Sequence, residues 1–266
     1  MAIEGDEILL VEKKDRIMTL TINRPERKNT LSPALIMRLA DAWEDFRYDD
    51  SLVAVITSSG DEAFCTGPDW IEIQRAQRGE IPKRKTMPWG VPRFYPYEIW
   101  KPTIGAINGD AFAGGFMLAN ECDIRIASSH AKFAITEARW NWKGPWVGDL
   151  TRAMHLGHAL EMALWAEEYD AKRMYEIGWL NRVVPKEKLM QEAMSWARRM
   201  VDLAPTTVQN FKQIIYRGLY EPSERSREFA VALEANLVGT QDTEEGIKAY
   251  LENRKPHFTG KRPKVT

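Results

Sequence analysis

The sequence predicts an α/β fold with parallel strands, followed by a helical C-terminal region. Short apolar segments alternate with helical segments through the first half of the chain, a pattern typical of parallel sheets. From Leu156 onward, segments with the apolar spacing of helices dominate. A chain of 266 residues is long enough for one large domain, or for one domain with an appended helical piece.

The predicted strands are short runs of apolar and β-branched residues between polar or glycine-containing segments. Asp15 and Arg16 form the expected turn between the first two strands. The strands are predicted over residues 8–12, 17–22, 52–57, 102–108, 124–127, 132–135 and 183–184.

The first helix is predicted from its start signal. Ser32 is a typical N-cap residue, and Pro33 follows at the first helical position. Residues 74–89 are basic, polar and proline-containing, and we expect a mobile loop there. The helices are predicted over residues 34–48, 114–121, 158–166, 171–177, 189–203, 206–219, 223–237 and 243–253.

Composition excludes several classes of protein. The net charge of -1 gives no global field that would attract nucleic acid or an anionic membrane. The apolar runs are far shorter than a membrane span, and the first eleven residues lack the features of a secretory signal. With only two cysteines, Cys65 and Cys122, a reducing compartment is favoured, and we expect a cytoplasmic protein. The four histidines show no metal-ligand spacing, so no metal site is predicted.

The most informative segment is residues 103–127. It has the pattern of a buried strand, a glycine-containing turn and a helix that starts at Gly114 and Gly115. Glycines at a helix start leave backbone N–H groups accessible to an oxygen that carries negative charge. Such groups stabilise an enolate or a tetrahedral oxyanion, although close packing alone also selects two glycines.

Five separated motifs resemble those of the crotonase (enoyl-CoA hydratase/isomerase) family in order and spacing. Residues 171–184 and 245–258 resemble the same family, so that the resemblance covers roughly residues 8–261. The five motifs are Asn23-Arg24-Pro25, Phe64-Cys65-Thr66-Gly67-Pro68-Asp69, Ala106-Ile107-Asn108-Gly109, Ala113-Gly114-Gly115 and Cys122-Asp123-Ile124.

The resemblance implies a crotonase-like spiral of repeated ββα units with a helical C-terminal region. The acyl-CoA-binding core is expected over residues 1–200 and the C-terminal helical region over residues 201–266. The resemblance also implies an acyl-CoA thioester substrate, no cofactor other than the coenzyme A of that substrate, and a homotrimer or a dimer of trimers. No nucleic-acid or membrane partner is expected.

The family's oxyanion hole uses two backbone N–H groups, which by position belong to residues 68 and 114. Gly114 is compatible with this role, but Pro68 has no backbone N–H, so one donor is missing. The Asp69 N–H or the Thr66 hydroxyl would replace it, or the chemistry works with one donor, or the chain is an inactive member. Trp70 follows directly, and we predict that it lines the oxyanion and substrate site with Pro68, Asp69, Met117 and Trp140.

Family hydratases place two glutamates around a water, and only one is present here. By position the first is replaced by Met117 and the second is Glu137, the predicted acid/base. A single carboxylate is better suited to moving a proton between carbons. Glu121, one turn after Met117, is either a displaced second carboxylate or a paired or capping residue. For Asp149 we expect an N-cap role.

Tryptophans occupy a segment that is small and glycine-rich in family hydratases. Trp140 lies three residues after Glu137, as in hydroxycinnamoyl-CoA hydratase-lyases, and Trp142 and Trp146 follow. The leading interpretation is a hydratase, isomerase or lyase for an enoyl-CoA or an aromatic or cyclic acyl-CoA, with the enolate stabilised at Gly114. The alternatives are a C–C bond hydrolase of a cyclic acyl-CoA, and a non-catalytic CoA-binding or RNA-binding relative.

Overall fold

The computed structural model describes residues 8–81 and 99–260. Within these residues the strands form a six-stranded and a four-stranded sheet. The strands are β1 (Leu9–Lys14), β2 (Ile17–Ile22), β3 (Val53–Ser58), β4 (Ala63–Cys65), β5 (Thr103–Ile107), β6 (Asp110–Phe112), β7 (Ile124–Ser128), β8 (Lys132–Ala134), β9 (Tyr169–Asp170) and β10 (Arg182–Val184). The helices are α1 (Pro33–Tyr48), α2 (Trp70–Gln77), α3 (Gly114–Asn120), α4 (Leu156–Trp165), α5 (Ala171–Glu176), α6 (Leu189–Val201), α7 (Pro205–Gly218), α8 (Ser223–Glu234) and α9 (Gln241–Leu251).

The larger sheet has the strand order β1-β2-β3-β5-β7-β10. The hairpin β1–β2 is antiparallel, and every later neighbour is parallel. All six residues of β3 are buried, as expected for a parallel strand covered on both faces. The predicted α/β fold with parallel strands is confirmed.

The smaller sheet has the order β4-β6-β8-β9, with β4, β6 and β8 parallel to one another. The chain passes from β3 to β4, from β5 to β6 and from β7 to β8, so three successive pairs each place one strand in each sheet. A helix follows each pair, which makes three ββα units. Because the carboxyl ends of neighbouring parallel strands meet at one edge, the segments after β4, β6 and β8 lie side by side.

The predicted loop over residues 74–89 is wrong at its start, because α2 extends to Gln77. Asp69 caps this helix by accepting the Glu72 N–H at 3.1 Å, an Asp-x-x-Glu arrangement that resembles a capping box. The remainder of that prediction falls largely on residues 82–98, outside the described residues.

The eight helices predicted from the sequence are confirmed, with shifted boundaries. The Ser32 hydroxyl accepts the Leu35 N–H at 3.0 Å and caps α1 as predicted. Two 3₁₀ helices, Glu137–Trp140 and Pro145–Arg152, were not predicted. The predicted N-cap role of Asp149 is wrong, since this residue lies inside the second 3₁₀ helix and pairs with Arg152.

The C-terminal helices pack against the larger sheet through a largely buried polar contact. The ammonium of Lys212 on α7 lies 2.7 Å from the carboxylate of Asp123, which also accepts the Tyr216 hydroxyl at 2.9 Å. The predicted division at residues 200 and 201 falls at the end of α6 and stays a prediction. Within residues 8–81 and 99–260, no helix is both long and apolar enough to span a bilayer.

Candidate active site

A pocket of about 220 Å³ opens at the edge where β4, β6 and β8 end. Each of the three segments that follow these strands contributes to its wall. Four of the seven residues predicted for the site line it directly: Glu137, Pro68, Trp70 and Trp140. Among the described residues the lining is Thr66, Pro68, Trp70, Phe112, Ala113, Thr136, Glu137, Arg139, Trp140, Trp142 and Glu168.

The start of α3 lies directly against the backbone that follows β4. A Cβ atom at Gly115 would lie 1.8 Å from the carbonyl oxygen of Cys65, so close packing excludes any side chain there. A Cβ atom at Gly67 would lie 3.3 Å from the amide nitrogen of Gly114. Gly67 also has a φ of +94°, a conformation that favours glycine. Packing therefore accounts for Gly115, and it brings the Gly114 amide against the Gly67–Pro68 segment.

The Gly114 N–H occupies the first position of α3 and has no carbonyl partner within the helix. It adjoins Ala113, which lines the pocket. Gly114 is the first of the seven residues of α3, and the partial positive charge of a helix N-terminus favours an anionic oxygen at this position. One donor suited to a developing oxyanion is thus present beside the pocket.

Pro68 lines the pocket without offering an N–H. The segment is held by Leu31, whose N–H donates to the Gly67 carbonyl at 2.8 Å and whose carbonyl accepts the Asp69 N–H at 3.2 Å. The Asp69 N–H is therefore already used. The Thr66 hydroxyl donates to the Lys28 carbonyl at a long 3.3 Å and belongs to the pocket lining. Thr66 therefore lines the pocket, but its single hydroxyl hydrogen must leave the Lys28 carbonyl before it can serve as a substitute donor.

Asp69 is buried under the turn that carries Pro68. Its carboxylate lies 3.1 Å from the guanidinium of Arg24 and caps α2. Burial alone raises the pKa of Asp69, but the Glu72 N–H and Arg24 outweigh that effect and hold the pKa below its usual value. Asp69 is not among the described residues that line the pocket, and its contacts are those of a support for the Pro68 turn.

Glu137 is the first residue of the 3₁₀ helix that follows β8, and it is 8% exposed. Its Oε1 accepts the indole N–H of Trp146 at 3.2 Å, whereas its Oε2 has no hydrogen-bond partner among the described residues. Burial raises the pKa of Glu137, against opposing hydrogen bonds from the backbone and from Trp146. A buried carboxyl group with one free oxygen and a raised pKa at a pocket is the usual arrangement of a general acid or base.

Met117 and Glu121 lie on α3 away from the pocket wall. Met117 is 1% exposed and belongs to the main apolar core. Glu121 is 2% exposed and follows the last turn of α3, at the opposite end from Gly114. Neither is among the described residues that line the pocket, so Glu137 and Glu168 are the carboxylates of its described lining.

Aromatic rings form much of the outer wall. The rings of Trp70 and Trp142 meet edge to face at 4.7 Å between centroids. Trp70 is 45% and Trp140 66% exposed, which is unusual for such large apolar side chains. The sequence pointed to Trp140 and to the cluster around it. The contribution of Trp142 to a pair with Trp70 was not foreseen, because it joins two segments far apart in the chain.

Polar groups complete the lining. Arg139 lies 3.4 Å from Glu167, and Glu168 accepts from Lys132 at 3.1 Å. In the part of the chain that the structure describes, no group of three or more His, Cys, Asp or Glu side chains is arranged to hold a metal ion.

Comparisons with known proteins agree with this architecture. The family model described as enoyl-CoA hydratase/isomerase matches residues 12–261. The chain is 35% identical over 253 residues to an (E)-benzylidenesuccinyl-CoA hydratase of Thauera aromatica, covering 94% of this chain and 98% of the relative. It is 32% identical over 262 residues to a crotonyl-CoA hydratase of Syntrophomonas wolfei, covering 96% and 99%.

Solved structures give the same result. An enoyl-CoA hydratase of Mycobacterium tuberculosis superimposes with a TM-score of 0.87 at 29% identity, over 96% of this chain and 100% of the other. An enoyl-CoA hydratase/isomerase of Mycobacterium paratuberculosis gives a TM-score of 0.85 at 28% identity, over 97% and 100%. The expected crotonase fold is confirmed. With a family match along nearly its whole length, this chain belongs to the crotonase, or enoyl-CoA hydratase/isomerase, family of enzymes that act on acyl-CoA thioesters.

Proposed function

We propose that this enzyme adds water to, or moves a proton within, an enoyl-CoA whose acyl group is aromatic or otherwise conjugated, with Glu137 as its single acid/base. The proposal rests on the burial and the hydrogen bonding of the Glu137 carboxyl group. It is a buried carboxyl group, held through one oxygen, whose other oxygen has no partner among the described residues. Leaving such a group without a ligand costs stability, and selection for catalysis is the usual reason to keep it.

In this proposal Glu137 handles both proton transfers. As a carboxylate it removes a proton from the water that attacks the β-carbon, or from a carbon of the substrate. As a carboxylic acid it then delivers a proton to the α-carbon or to the adjacent position. The raised pKa of Glu137 suits one group that must take up and release a proton in the same cycle, because it makes the carboxylate a stronger base than an exposed glutamate.

The negative charge that develops on the thioester oxygen goes to the Gly114 N–H. A helix N-terminus supplies both a donor and a favourable potential. With Pro68 at the other position, this hole has one backbone donor fewer than the family pattern, and the Thr66 hydroxyl in the pocket lining is the candidate for a second if it leaves the Lys28 carbonyl. A weaker hole favours substrates that delocalise the charge themselves.

An aromatic acyl group meets that requirement where a benzylic proton is removed, because the ring then extends the conjugated dienolate. Where water adds to a β-carbon that carries the ring, the ring contributes by packing against Trp70, Trp140 and Trp142. The relative from Thauera aromatica is named as a hydratase of a benzylidene acyl-CoA, which supports the same class.

A panel of acyl-CoA thioesters analysed by mass spectrometry tests the proposal. Crotonyl-CoA, cinnamoyl-CoA, hydroxycinnamoyl-CoA and an oxo-substituted cyclohexenoyl-CoA are incubated with the wild-type protein and with Glu137→Gln. We expect the gain of one water, or an isomer of unchanged mass, on an aromatic member, and its loss in the variant. Formation of acetyl-CoA would instead identify a lyase, and ring opening would identify a C–C hydrolase. No turnover of any member would contradict the proposal.

A further inference from the structure

The two oxygens of the Glu137 carboxylate differ sharply in their surroundings. Oε1 accepts the Trp146 indole N–H at 3.2 Å, and this is a contact between two buried side chains. Oε2 has no hydrogen-bond partner among the described residues. Because one oxygen is tied to an indole, rotation of the carboxyl group is restricted, and Oε2 is the oxygen left for a ligand.

Trp146 is in turn fixed to the helix that carries the oxyanion donor. Its ring stacks on Phe116 of α3 at 5.9 Å between centroids, with 30° between the planes. Phe116 also stacks on Trp179 at 4.5 Å and 18°. Trp146 is 3% exposed and Phe116 is fully buried, so this stack is part of the rigid core. One side chain thus connects α3, which begins at Gly114, to the carboxyl group of Glu137.

The loop before Trp146 closes the arrangement. A Cβ atom at Gly144 would lie 3.4 Å from the Cγ of Glu137 and 3.6 Å from the indole nitrogen of Trp146. The backbone of this loop therefore packs against both partners of the hydrogen bond. An indole N–H can donate a hydrogen bond but cannot accept one. It therefore stabilises the charged carboxylate through the oxygen that faces it, and it cannot accept the proton of the carboxylic acid.

We propose that Trp146 is the positioning residue for Glu137. Its indole N–H orients the carboxyl group of this acid/base toward the oxyanion donor at Gly114. This inference rests on the proposed function of Glu137. Trp146 does not line the described pocket and acts through Glu137 rather than on the substrate. The reacting oxygen is then Oε2, while Oε1 stays bonded to Trp146 through the cycle.

Other charged groups near Glu137 are already engaged and would stay so if the indole were removed. Arg139 and Glu168 of the pocket lining are paired with Glu167 and Lys132, as described above. Lys143, in the loop that leads to Trp146, lies over the ring of Trp142 at 5.7 Å. On the α2 side, Asp69 and Glu72 are both paired with Arg24, at 3.1 and 2.9 Å. Removing the indole N–H therefore changes one hydrogen bond and leaves the neighbouring charges in place.

The test compares Trp146→Phe with Trp179→Phe. Both changes shorten a buried indole of the same stack and remove one N–H donor, but the Trp179 donor goes to Asn120 at 3.0 Å and not to Glu137. Steady-state rates are measured across pH on the best acyl-CoA of the panel. For Trp146→Phe we expect kcat to fall about tenfold or more, the scale of a hydrogen bond to a charged group, with little change in KM.

The pH profile is the readout that a purely structural role would not move. The indole N–H stabilises the charged carboxylate, so its loss should raise the pKa of Glu137 and shift the acidic limb of kcat/KM to higher pH. Trp179→Phe should keep the wild-type limb. An unshifted limb and a near-normal kcat in Trp146→Phe would overturn this inference, as would the same shift in both variants. Glu137→Gln separates the two proposals: if it stays active, the proposed function itself has failed.

Discussion

Replacing Pro68 by alanine tests whether the oxyanion hole lacks a donor. In a parallel bridge the carbonyl of Gly67 and the N–H of Asp69 face Leu31, so the nitrogen of Pro68 faces the other way. An alanine at this position would therefore place a new N–H on the side away from Leu31. The two Leu31 hydrogen bonds, at 2.8 and 3.2 Å, should hold the backbone in its present course.

The expected gain in transition-state stabilisation is larger than the expected loss of folding stability. One oxyanion donor is worth roughly 2.7–4 kcal/mol of transition-state stabilisation, or about 10²–10³ in kcat. Loss of a proline at a compatible site costs only about 0.4–1 kcal/mol of stability through the unfolded chain. We expect the hydration rate of crotonyl-CoA to rise by about tenfold to a hundredfold, since Gly114 already supplies one donor.

The assay is the loss of enoyl absorbance with crotonyl-CoA, measured well below the melting temperature. Pro33→Ala, at the start of α1, serves as the control for removing a proline away from the pocket. An unchanged or lower rate in a folded Pro68→Ala protein would refute the idea of a simple missing donor.

Three further results are expected. The wild-type protein should hydrate crotonyl-CoA with a kcat/KM at least about a thousandfold below the 10⁷–10⁸ M⁻¹s⁻¹ of the fastest enzymes, and a rate in that range would contradict our assignment of Met117. Asp69→Asn should cost about 2 kcal/mol of unfolding free energy at pH 7, because it removes a buried charge-assisted hydrogen bond to Arg24, which keeps Glu72 as a partner at 2.9 Å. The pKa of Asp69 is lower in the folded than in the unfolded state, so its contribution to the free energy of unfolding is present above the unfolded pKa and is lost as pH falls through the folded pKa. Chemical denaturation at pH 7 and pH 3 should therefore show a smaller difference in unfolding free energy between variant and wild type at the lower pH. Light scattering at micromolar concentration should show three or six subunits, in keeping with exposed Leu156, Leu160 and Leu164 on one face of α4, and a protein that is only monomeric would contradict this.

The strands of the larger sheet were predictable from sequence, whereas in the smaller sheet only β8 was. Strands β3, β5 and β7 are five or six residues long and mostly apolar, which gives a clear local signal. Strands β4, β6 and β9 contain two or three residues each, too few to show a period. Their pairing comes from the fold and not from their own composition. Since the site follows β4, β6 and β8, its position in space required the resemblance or the structure.

The partners of the site residues were harder to foresee than the residues themselves. Glu137 was found by its distance from Phe133, and it lines the pocket. Its hydrogen bond to Trp146 depends on a reversal of the chain at Asn141, which adopts a φ of 49°. Asparagine tolerates this conformation better than most residues, but one asparagine in a polar segment does not predict a turn. Asp69 was expected at the substrate, whereas its carboxylate is used by Arg24 and α2.

In the mechanism proposed above, Glu137 alone carries the proton transfers. The most direct measurement is the single-turnover rate of Glu137→Gln on the aromatic acyl-CoA that the wild-type protein converts fastest, with the dissociation constant of the same ligand measured separately. Glu168→Gln is the matched control, because Glu168 lines the same pocket but is exposed and paired with Lys132. We expect a rate lower by roughly two to four orders of magnitude in Glu137→Gln, with ligand affinity nearly unchanged and the control near wild type. A Glu137→Gln protein that keeps more than about a tenth of the wild-type rate would show that another group carries the proton transfers.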